Sequence, residues 1–198
     1  MPSKAEKTTA FIIETVAPIF TKYGYVGTSM SALTEATGLT KGALYGNFRN
    51  KEDLALRAFE FSSSILVEAI EKTLEAPGTA LDRIAALTRF YKSYDEFTQS
   101  LGGCPLIHTG IDSKNNNPDL NASAREVCRT IEGKIAAVLE EGVNAGQMRL
   151  PVTPLQFAKQ LFTMLQGAVA MYTTTGDRKY LINTVAYLDV LVKREIKR

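Results

Sequence analysis

Apolar residues recur at intervals of three and four over most of the chain, which is the period of amphipathic α-helices. The first such stretch places Phe11, Val16 and Phe20 on one face and predicts a helix over roughly residues 6–23. Pro18 lies inside this stretch, where its missing amide hydrogen should kink the last turn. No segment shows the strict alternation of a half-buried strand. The pattern therefore predicts an all-α protein.

Two short helices are expected next, separated by a glycine. The hydroxyls at residues 28–29 offer an N-cap for a helix over 30–37, and Gly38 is suited to a left-handed C-cap. Thr40 offers the next N-cap, for a helix over 41–48. Two short helices joined by a tight turn predict a helix-turn-helix motif.

The later apolar stretches are longer and are bounded by Gly, Pro or polar residues. Asn50 caps the first of them, with Asp53 in a capping-box position. Together with the three N-terminal helices, these stretches predict about nine helices. The longer ones are expected over approximately residues 51–75, 81–101, 105–112, 121–145, 154–173 and 179–197.

Composition and charge place the chain among ordinary globular proteins, with 45% apolar and 22% charged residues and a net charge of +2. Residues 1–51 carry six basic and three acidic side chains, which is compatible with nucleic-acid binding. No apolar run approaches the ~20 residues of a membrane span, and no secretory segment is recognisable. We therefore expect a cytoplasmic protein without membrane contact.

The helix-turn-helix pattern predicts an inner and an outer side. Leu33 and Ala36 should pack the first short helix on the core, Leu39 should fill the angle between the helices, and Leu44 and Phe48 should anchor the second. The second helix would then present its outer side and N-terminal end to DNA bases and phosphates. The residues placed there are Thr40, Lys41, Gly42, Tyr45 and Asn47.

Residues 39–54 read LTKGALYGNFRNKEDL, and together with residues 20–38 they resemble the signature of TetR/AcrR-type transcriptional regulators. The resemblance is detailed over about the first quarter of the chain, while the rest agrees in length and helix count. It implies phosphate contacts at the start of the first short helix, contacts to the major groove and nearby phosphates from the second, and a phosphate contact at the start of the long helix. The residues in these positions are Thr28 and Ser29, then Thr40, Lys41, Gly42, Tyr45 and Asn47, and finally Lys51.

The sequence departs from the family pattern at two positions of the second short helix. Gly46 stands where the family usually has a bulky aromatic residue, so that side chain contributes no contact here. Asn47 stands where the family often has His. These differences leave the motif recognisable but make the operator sequence unpredictable.

The resemblance also implies the organisation of the whole chain. A helix-turn-helix DNA-binding domain would span residues 1–51, and a ligand-binding and dimerisation domain residues 52–198. Such proteins bind double-stranded, near-palindromic operator DNA as homodimers and are mostly repressors released by a small effector. Symmetry favours a dimer independently, because two helix-turn-helix motifs about 34 Å apart read enough bases for specificity. The widely apolar last two helices are the expected interface, and burial of both helices in the core of a monomer is the alternative.

The effector is expected to be small and largely apolar, bound between helices of residues 81–172 by one or two polar groups. Plain core packing remains the alternative for each aromatic residue in that region, and a core or surface role is the alternative for His108. The ligand-binding residues are therefore left open. Those considered are Phe90, Tyr94, Phe97, His108, Met164, Gln166 and Tyr172.

Two other functions were weighed against a ligand-responsive regulator. Cys104 precedes a predicted helix start, where the helix dipole would favour a reactive thiolate, so Cys104 and Cys128 raise a redox switch. His108 and Asp112 are spaced as a base and its orienting acid in a helical enzyme, but no positioned nucleophile accompanies them. With two Cys and one His, and no phosphate-binding loop, neither a metal site nor a cofactor is expected.

Overall fold

The computed structural model describes residues 3–192, and within this range the protein is built from ten α-helices and three short 3₁₀ turns. The all-α fold class is confirmed. The helices are α1 (Lys4–Gly27), α2 (Met30–Thr37), α3 (Lys41–Asn47), α4 (Lys51–Leu74), α5 (Ala80–Phe90), α6 (Tyr94–Thr98), α7 (Pro105–Asp112), α8 (Pro118–Asn144), α9 (Pro154–Thr175) and α10 (Lys179–Leu191).

The tenth helix arises because the helix predicted over residues 81–101 is interrupted. A 3₁₀ turn at Tyr91–Ser93 separates α5 from α6, and a second one at Gln99–Leu101 ends the segment. Residues three apart eclipse each other in a 3₁₀ turn. The rings of Tyr91 and Tyr94 accordingly stack in parallel, with centroids 4.7 Å apart and an interplanar angle of 3°. The interruption of the helix and the stacked pair of rings thus occur at the same place.

The described chain divides into two compact units. The first ends at Ile65 and also takes in Thr98–Val127, and the second takes in Leu66–Phe97 and begins again at Cys128. Because α4 and α8 each run across a division, these units are not simply consecutive in sequence. The boundary predicted from function, between residues 51 and 52, stays a prediction.

In the first unit, α1 packs against α2, α3 and α7. Helical backbone continues through Pro18, and the chain leaves the helical path at Gly24, whose φ of 75° and ψ of 172° are non-helical. Gly102, with φ of 79°, lies so close to α1 that a Cβ there would be 2.2 Å from the carbonyl oxygen of Pro18. Only glycine therefore permits this close approach.

The short helices begin and end largely as predicted. The hydroxyl of Ser29 accepts a hydrogen bond from the amide of Ala32 at 3.1 Å, and that of Thr40 accepts one from the amide of Ala43 at the same distance. Gly38 forms the left-handed cap of α2, with φ of 66°. Caps of this kind satisfy backbone groups that a short helix leaves without partners.

Burial of the motif follows the predicted pattern with one exception. Leu33, Leu44 and Phe48 are at most 3% exposed and hold α2 and α3 on the core. Ala36 is exposed, so the prediction that it packs on the core is wrong. Thr37 is the buried residue at that end of α2, because it lies one helical turn after Leu33 on the same face.

In the second unit, α5 and α9 pack against α10. Their buried faces are apolar, and polar links supplement them. Thr88 donates a hydrogen bond to the carboxylate of Asp189 at 3.0 Å, and Lys134 forms an ion pair with Glu71 at 2.6 Å. The end predicted for the last helix, near residue 197, lies outside the described residues. Within residues 3–192, every helix is too short or too polar to cross a bilayer.

Candidate nucleic-acid interface

The outer side of α3 carries the side chains expected to read DNA. Lys41, Gly42 and Tyr45 are exposed, and Tyr45 retains 43% of its accessible surface although it is a large aromatic residue. The ammonium of Lys41 lies 5.9 Å from the centroid of the Tyr45 ring. Since Leu44 faces the core, α3 presents a polar, cationic side outward and an apolar side inward.

Two hydroxyls at the N-termini of α2 and α3 adjoin this surface. Ser29 and Thr40 are exposed, and each accepts a hydrogen bond from an amide of its own helix. In both bonds the hydroxyl oxygen is the acceptor, so the hydroxyl proton is available to donate a hydrogen bond to a phosphate. The N-terminal ends of helices also favour anions.

Three other residues predicted to contact DNA have internal partners in the structure. Thr28 is only 1% exposed, and its hydroxyl donates to the carbonyl of Gly24 at 2.7 Å. The amide nitrogen of Asn47 donates to the carbonyl of Ala43 at 2.9 Å, and its oxygen accepts a hydrogen bond from Thr9 at 3.1 Å. These bonds hold the helix-turn-helix together.

Lys51, the third of these residues, lies at the N-terminus of α4. Its ammonium donates to the carbonyl of Tyr25 at 2.6 Å and lies 4.4 Å from the centroid of the Tyr25 ring. Burial lowers the pKa of Lys51, although the neighbouring carboxylates of Glu52 and Asp112 act in the opposite direction. In this conformation Lys51 joins α4 to the end of α1.

Tyr25, which was not among the residues predicted to have a role, also links to α4 through its side chain. Its phenol donates a hydrogen bond to Glu52. Burial, and secondarily this bond to a carboxylate, raises the pKa of Tyr25 to about 12. The same hydrogen bond lowers the pKa of Glu52, because it stabilises the ionised carboxylate.

A second unpredicted cluster lies between α3 and α4. Asn50 caps α4 as predicted, since its side-chain oxygen accepts a hydrogen bond from the amide of Asp53 at 2.8 Å. The carboxylate of Asp53, which is 6% exposed, accepts from the amide of Arg49 at 3.0 Å and not from that of Asn50, so the capping box is incomplete. The guanidinium groups of Arg49 and Arg57 each lie 3.3 Å from the same carboxylate. Arg49 and Arg57 each lie four residues from Asp53, and this spacing on a helix could have predicted both ion pairs.

His108 and Asp112, the pair that the alternative of a helical enzyme would require, bind other groups. His108 Nδ1 lies 2.6 Å from the carbonyl of Thr21, and Asp112 accepts hydrogen bonds from the amides of Tyr25 and Val26. Both side chains therefore bind backbone at the end of α1. Among residues 3–192, no group of three or more His, Cys, Asp and Glu side chains is placed to hold a metal ion.

Two family models match the chain. The model of the bacterial regulatory proteins of the tetR family covers residues 12–58, and that of the tetracyclin repressor-like C-terminal domain covers residues 80–188. The chain belongs to the TetR family. It is therefore a DNA-binding transcriptional regulator, and the family is not one of enzymes.

Relatives and solved structures agree with this assignment to the TetR family. The HTH-type transcriptional regulator TtgR of Pseudomonas putida is 39% identical over 186 residues, covering 92% of this chain and 88% of the relative. A TetR-family regulator from Cytophaga hutchinsonii has a TM-score of 0.88 at 31% identity, over 98% of this chain and 96% of that chain. One from Chloroflexus aurantiacus has a TM-score of 0.92 at 28% identity, over 98% of both chains.

Proposed function

We propose that this regulator is a cytoplasmic repressor that binds a near-palindromic operator as a homodimer and is released by a small, largely apolar effector. The observation that carries the DNA-binding part is the outward side of α3, where Lys41, Gly42 and Tyr45 are exposed opposite the buried Leu44. Lysine and tyrosine side chains bind bases and phosphates, and Gly42 allows close approach of the backbone.

The predicted contact residues fall into two groups in this proposal. Ser29, Thr40, Lys41, Gly42 and Tyr45 touch DNA. Thr28, Asn47 and Lys51 instead hold α2, α3 and α4 in place, since their polar groups bind Gly24, Thr9, Ala43 and Tyr25 in the DNA-free protein.

Selection of bound duplexes from a random pool by the full chain tests the DNA-binding proposal. We expect a palindromic consensus whose binding is lost in Lys41→Ala and Tyr45→Ala. Lys72→Ala, which removes one exposed lysine near the C-terminal end of α4, is the charge-matched control and should bind normally. Binding without sequence preference in the wild-type protein would contradict the proposal.

Exposed apolar side chains on the last two helices support the homodimer. Each retains between 38% and 58% of its accessible surface. Exposing this much apolar surface to water is unfavourable, and it is typical of an interaction site. A two-fold pair of these surfaces would bury both copies of the patch. The residues are Met164 and Met171, which share one side of α9, and Tyr180, Tyr187 and Val190, which share one side of α10.

Sedimentation of a charge variant tests this interface. Tyr187→Glu places a carboxylate in the apolar patch and should shift the protein from dimer to monomer, because an unpaired buried charge is strongly unfavourable. Gln99→Glu makes the same change of charge at an exposed position of a 3₁₀ turn and should remain dimeric. A monomeric wild-type protein at micromolar concentration would rule out this interface.

The effector part of the proposal is supported by an aromatic cluster in the second unit. Phe90 packs edge-on against Tyr91, Tyr94 and Phe97, with ring centroids between 5.0 and 5.8 Å apart. Gln166 lies beside it, donating to the hydroxyl of Tyr91 at 3.3 Å. Aromatic walls with a few polar groups are typical of sites for apolar ligands.

Two residues considered for effector binding lie elsewhere. His108 belongs to the first unit, where it contacts the Thr21 carbonyl, and Met164 is 38% exposed on α9. Neither residue belongs to the aromatic cluster that is proposed to bind the effector. Release from DNA requires that the effector bind the DNA-incompetent state more tightly, whatever its chemical identity.

The thiol switch gains no support from the burial of the cysteines. Cys104 is 2% exposed at the start of α7, and Cys128 is half-buried on α8. A buried cysteine behaves as a small apolar residue and is shielded from oxidants. The ligand-responsive repressor therefore remains the single function proposed.

A further inference from the structure

The backbone breaks at the C-terminal end of α1, immediately before the helix-turn-helix. At Gly24 the φ of 75° turns the chain out of the helical path, so the amides of Tyr25 and Val26 no longer point at carbonyls of α1. Amides left without acceptors in a part-buried turn destabilise it by the cost of their desolvation. Something outside α1 has to bind them.

Asp112, the last residue of α7, supplies the acceptor from 87 positions further along the chain. Its Oδ2 atom accepts from the amide of Tyr25 at 2.6 Å and from the amide of Val26 at 3.2 Å. A Cβ at Gly24 would lie 3.0 Å from the same carboxyl group. Glycine at this position therefore provides both the positive φ and the space for the carboxylate.

The carbonyl and the side chain of Tyr25 are bound by α4. Lys51 donates to its carbonyl at 2.6 Å, and its phenol donates to Glu52. The amide, the carbonyl and the side chain of Tyr25 thus each have a partner on α7 or on the first turn of α4. We call this set of bonds the Tyr25 clasp, formed by Asp112, Lys51 and Glu52 around Tyr25 and Val26.

The clasp lies directly before the first element that reads DNA. Thr28 follows Val26 by two residues and hydrogen-bonds back to Gly24, and Ser29 is the N-cap of α2. With so few residues between the clasp and α2, the direction of the turn sets where Ser29 and the N-terminus of α2 lie. Lys51 likewise begins α4, which follows α3 after three residues.

We propose that Asp112 is a positioning residue for operator binding, which fixes the entry to the helix-turn-helix by accepting the amides of Tyr25 and Val26. The proposal rests on the operator-binding function proposed above. Asp112 touches no DNA in it. Its effect on affinity runs through the placement of Ser29 and α2.

Operator affinity and amide exchange of the full chain test this role together. The probe is the duplex selected by the wild-type protein, titrated at several salt concentrations. The variants are Asp112→Ala, which removes the acceptor, and Asp112→Asn, which keeps one acceptor oxygen without the charge. Glu60→Ala, at an exposed position of α4, is the control with the same change of charge as Asp112→Ala.

We expect D112A to weaken operator binding by about tenfold or more, as for the loss of two charge-assisted hydrogen bonds. The dependence of log K on log salt should be unchanged, because no phosphate contact is lost. D112N should recover most of the affinity, and E60A should bind at least as tightly as the wild type. Removing a negative charge would by itself strengthen binding to DNA. A lower operator affinity of D112A therefore cannot result from the change of charge.

Amide hydrogen exchange without DNA reports on the clasp alone. The amides of Tyr25 and Val26 should exchange faster in D112A than in the wild type, while the buried part of α4 is unaffected. The active fraction, found by stoichiometric titration, separates weaker binding from partial unfolding. If D112A does not fold, Asp112→Ser replaces it with the same expectations, since its hydroxyl is too short to reach both amides.

Normal operator affinity in D112A, with faster exchange at Tyr25 and Val26, would overturn the positioning role. Unchanged exchange at both amides would show that the clasp is absent and would overturn it as well. Equal losses in D112N and D112A would also contradict it, because the retained oxygen should then have rescued binding. Failure of the wild-type protein to select any duplex would instead refute the proposed function, independently of the exchange result.

Discussion

The hydroxyl of Thr9 lies 3.1 Å from the side-chain oxygen of Asn47, at the C-terminal end of α3, and 3.0 Å from the carbonyl of Ala5. Its single proton is shared between a bond that joins α1 to α3 and a bond within α1. Thr9 and Asn47 are 38 positions apart. Asn47 was predicted to reach DNA, but here its amide group is occupied by Thr9 and by the Ala43 carbonyl. The side chain therefore fixes the orientation of the helix that carries Lys41 and Tyr45.

Replacing Asn47 should consequently affect stability more than DNA contacts. Thr9→Val should lower the free energy of unfolding by up to about 1 kcal/mol, the usual worth of one hydrogen bond. Asn47→Ala should lower it by more, because it also removes the bond to the Ala43 carbonyl, and the double variant should lose little more than Asn47→Ala alone. Urea unfolding of the four proteins measures the coupling. A much larger loss of operator affinity in Asn47→Ala than in Thr9→Val would show that Asn47 contacts DNA directly.

The salt dependence of binding distinguishes a structural Lys51 from one that binds a phosphate. Because its ammonium is bound to the Tyr25 carbonyl, Lys51→Met should lower stability by about 1–2 kcal/mol and leave the salt slope unchanged. Lys41→Met, at an exposed position, should reduce the slope by about 0.9. Titrations of operator binding against salt measure both slopes. An equal reduction in the Lys51 variant would place a phosphate at Lys51.

Substituting alanine for two glycines of the motif should change the free energy of unfolding in opposite directions. Gly38 has a φ of 66°, so Gly38→Ala should destabilise the protein by about 1 kcal/mol through backbone strain. Gly46 lies within α3 with open space around it, so Gly46→Ala should stabilise by up to about 1 kcal/mol through helix propensity. Thermal or urea unfolding measures both. Because neither Cβ meets an atom within 4 Å, each substitution is the other's control.

Asp53 should contribute to stability in a pH-dependent way. The amide of Arg49, and to a lesser extent the guanidinium groups of Arg49 and Arg57, hold the pKa of Asp53 below its ordinary value, in spite of burial. Since the folded pKa is the lower one, the contribution is full above the unfolded pKa of about 4 and is lost as the pH falls through the folded pKa.

Asp53→Asn should therefore lower stability at neutral pH and flatten the decline below about pH 4. Urea unfolding at several pH values measures the change in slope. The comparison variant is Glu60→Gln, at an exposed position of the same helix, which should keep the wild-type pH profile. An acid profile of Asp53→Asn that parallels the wild type would exclude Asp53 as a source of the dependence.

Local sequence signals predicted the elements well. The caps at Ser29, Gly38 and Thr40 depend on bonds within three residues, and so they placed α2 exactly and α3 to within one residue. The same reasoning missed the interruption at Tyr91, where the apolar spacing continues although the backbone changes to a 3₁₀ turn. It also misplaced Ala36, which lies at the edge of the buried face of α2.

The roles of the polar residues could be predicted only in part. Exposure of Lys41 and Tyr45 follows from helical periodicity once Leu44 is assigned to the core. The partners of Thr28 and Lys51 depend on the path of the chain after Gly24, which no repeat or motif specifies. A side chain that can donate a hydrogen bond to a phosphate can equally donate one to a carbonyl. Which acceptor it binds depends on which lies within hydrogen-bond distance in the folded protein.

Periodicity, caps and turn glycines act between residues a few positions apart, and they were enough to predict the all-α class, most helix boundaries and the helix-turn-helix motif. Three features could be known only from the folded chain: the bonds of Asp112 to the amides of Tyr25 and Val26, the contact of Thr9 with Asn47, and the packing of α7 on α1. Such contacts join residues 38 to 87 positions apart. Their formation depends on how apolar faces pack, which brings polar groups together that no local pattern relates.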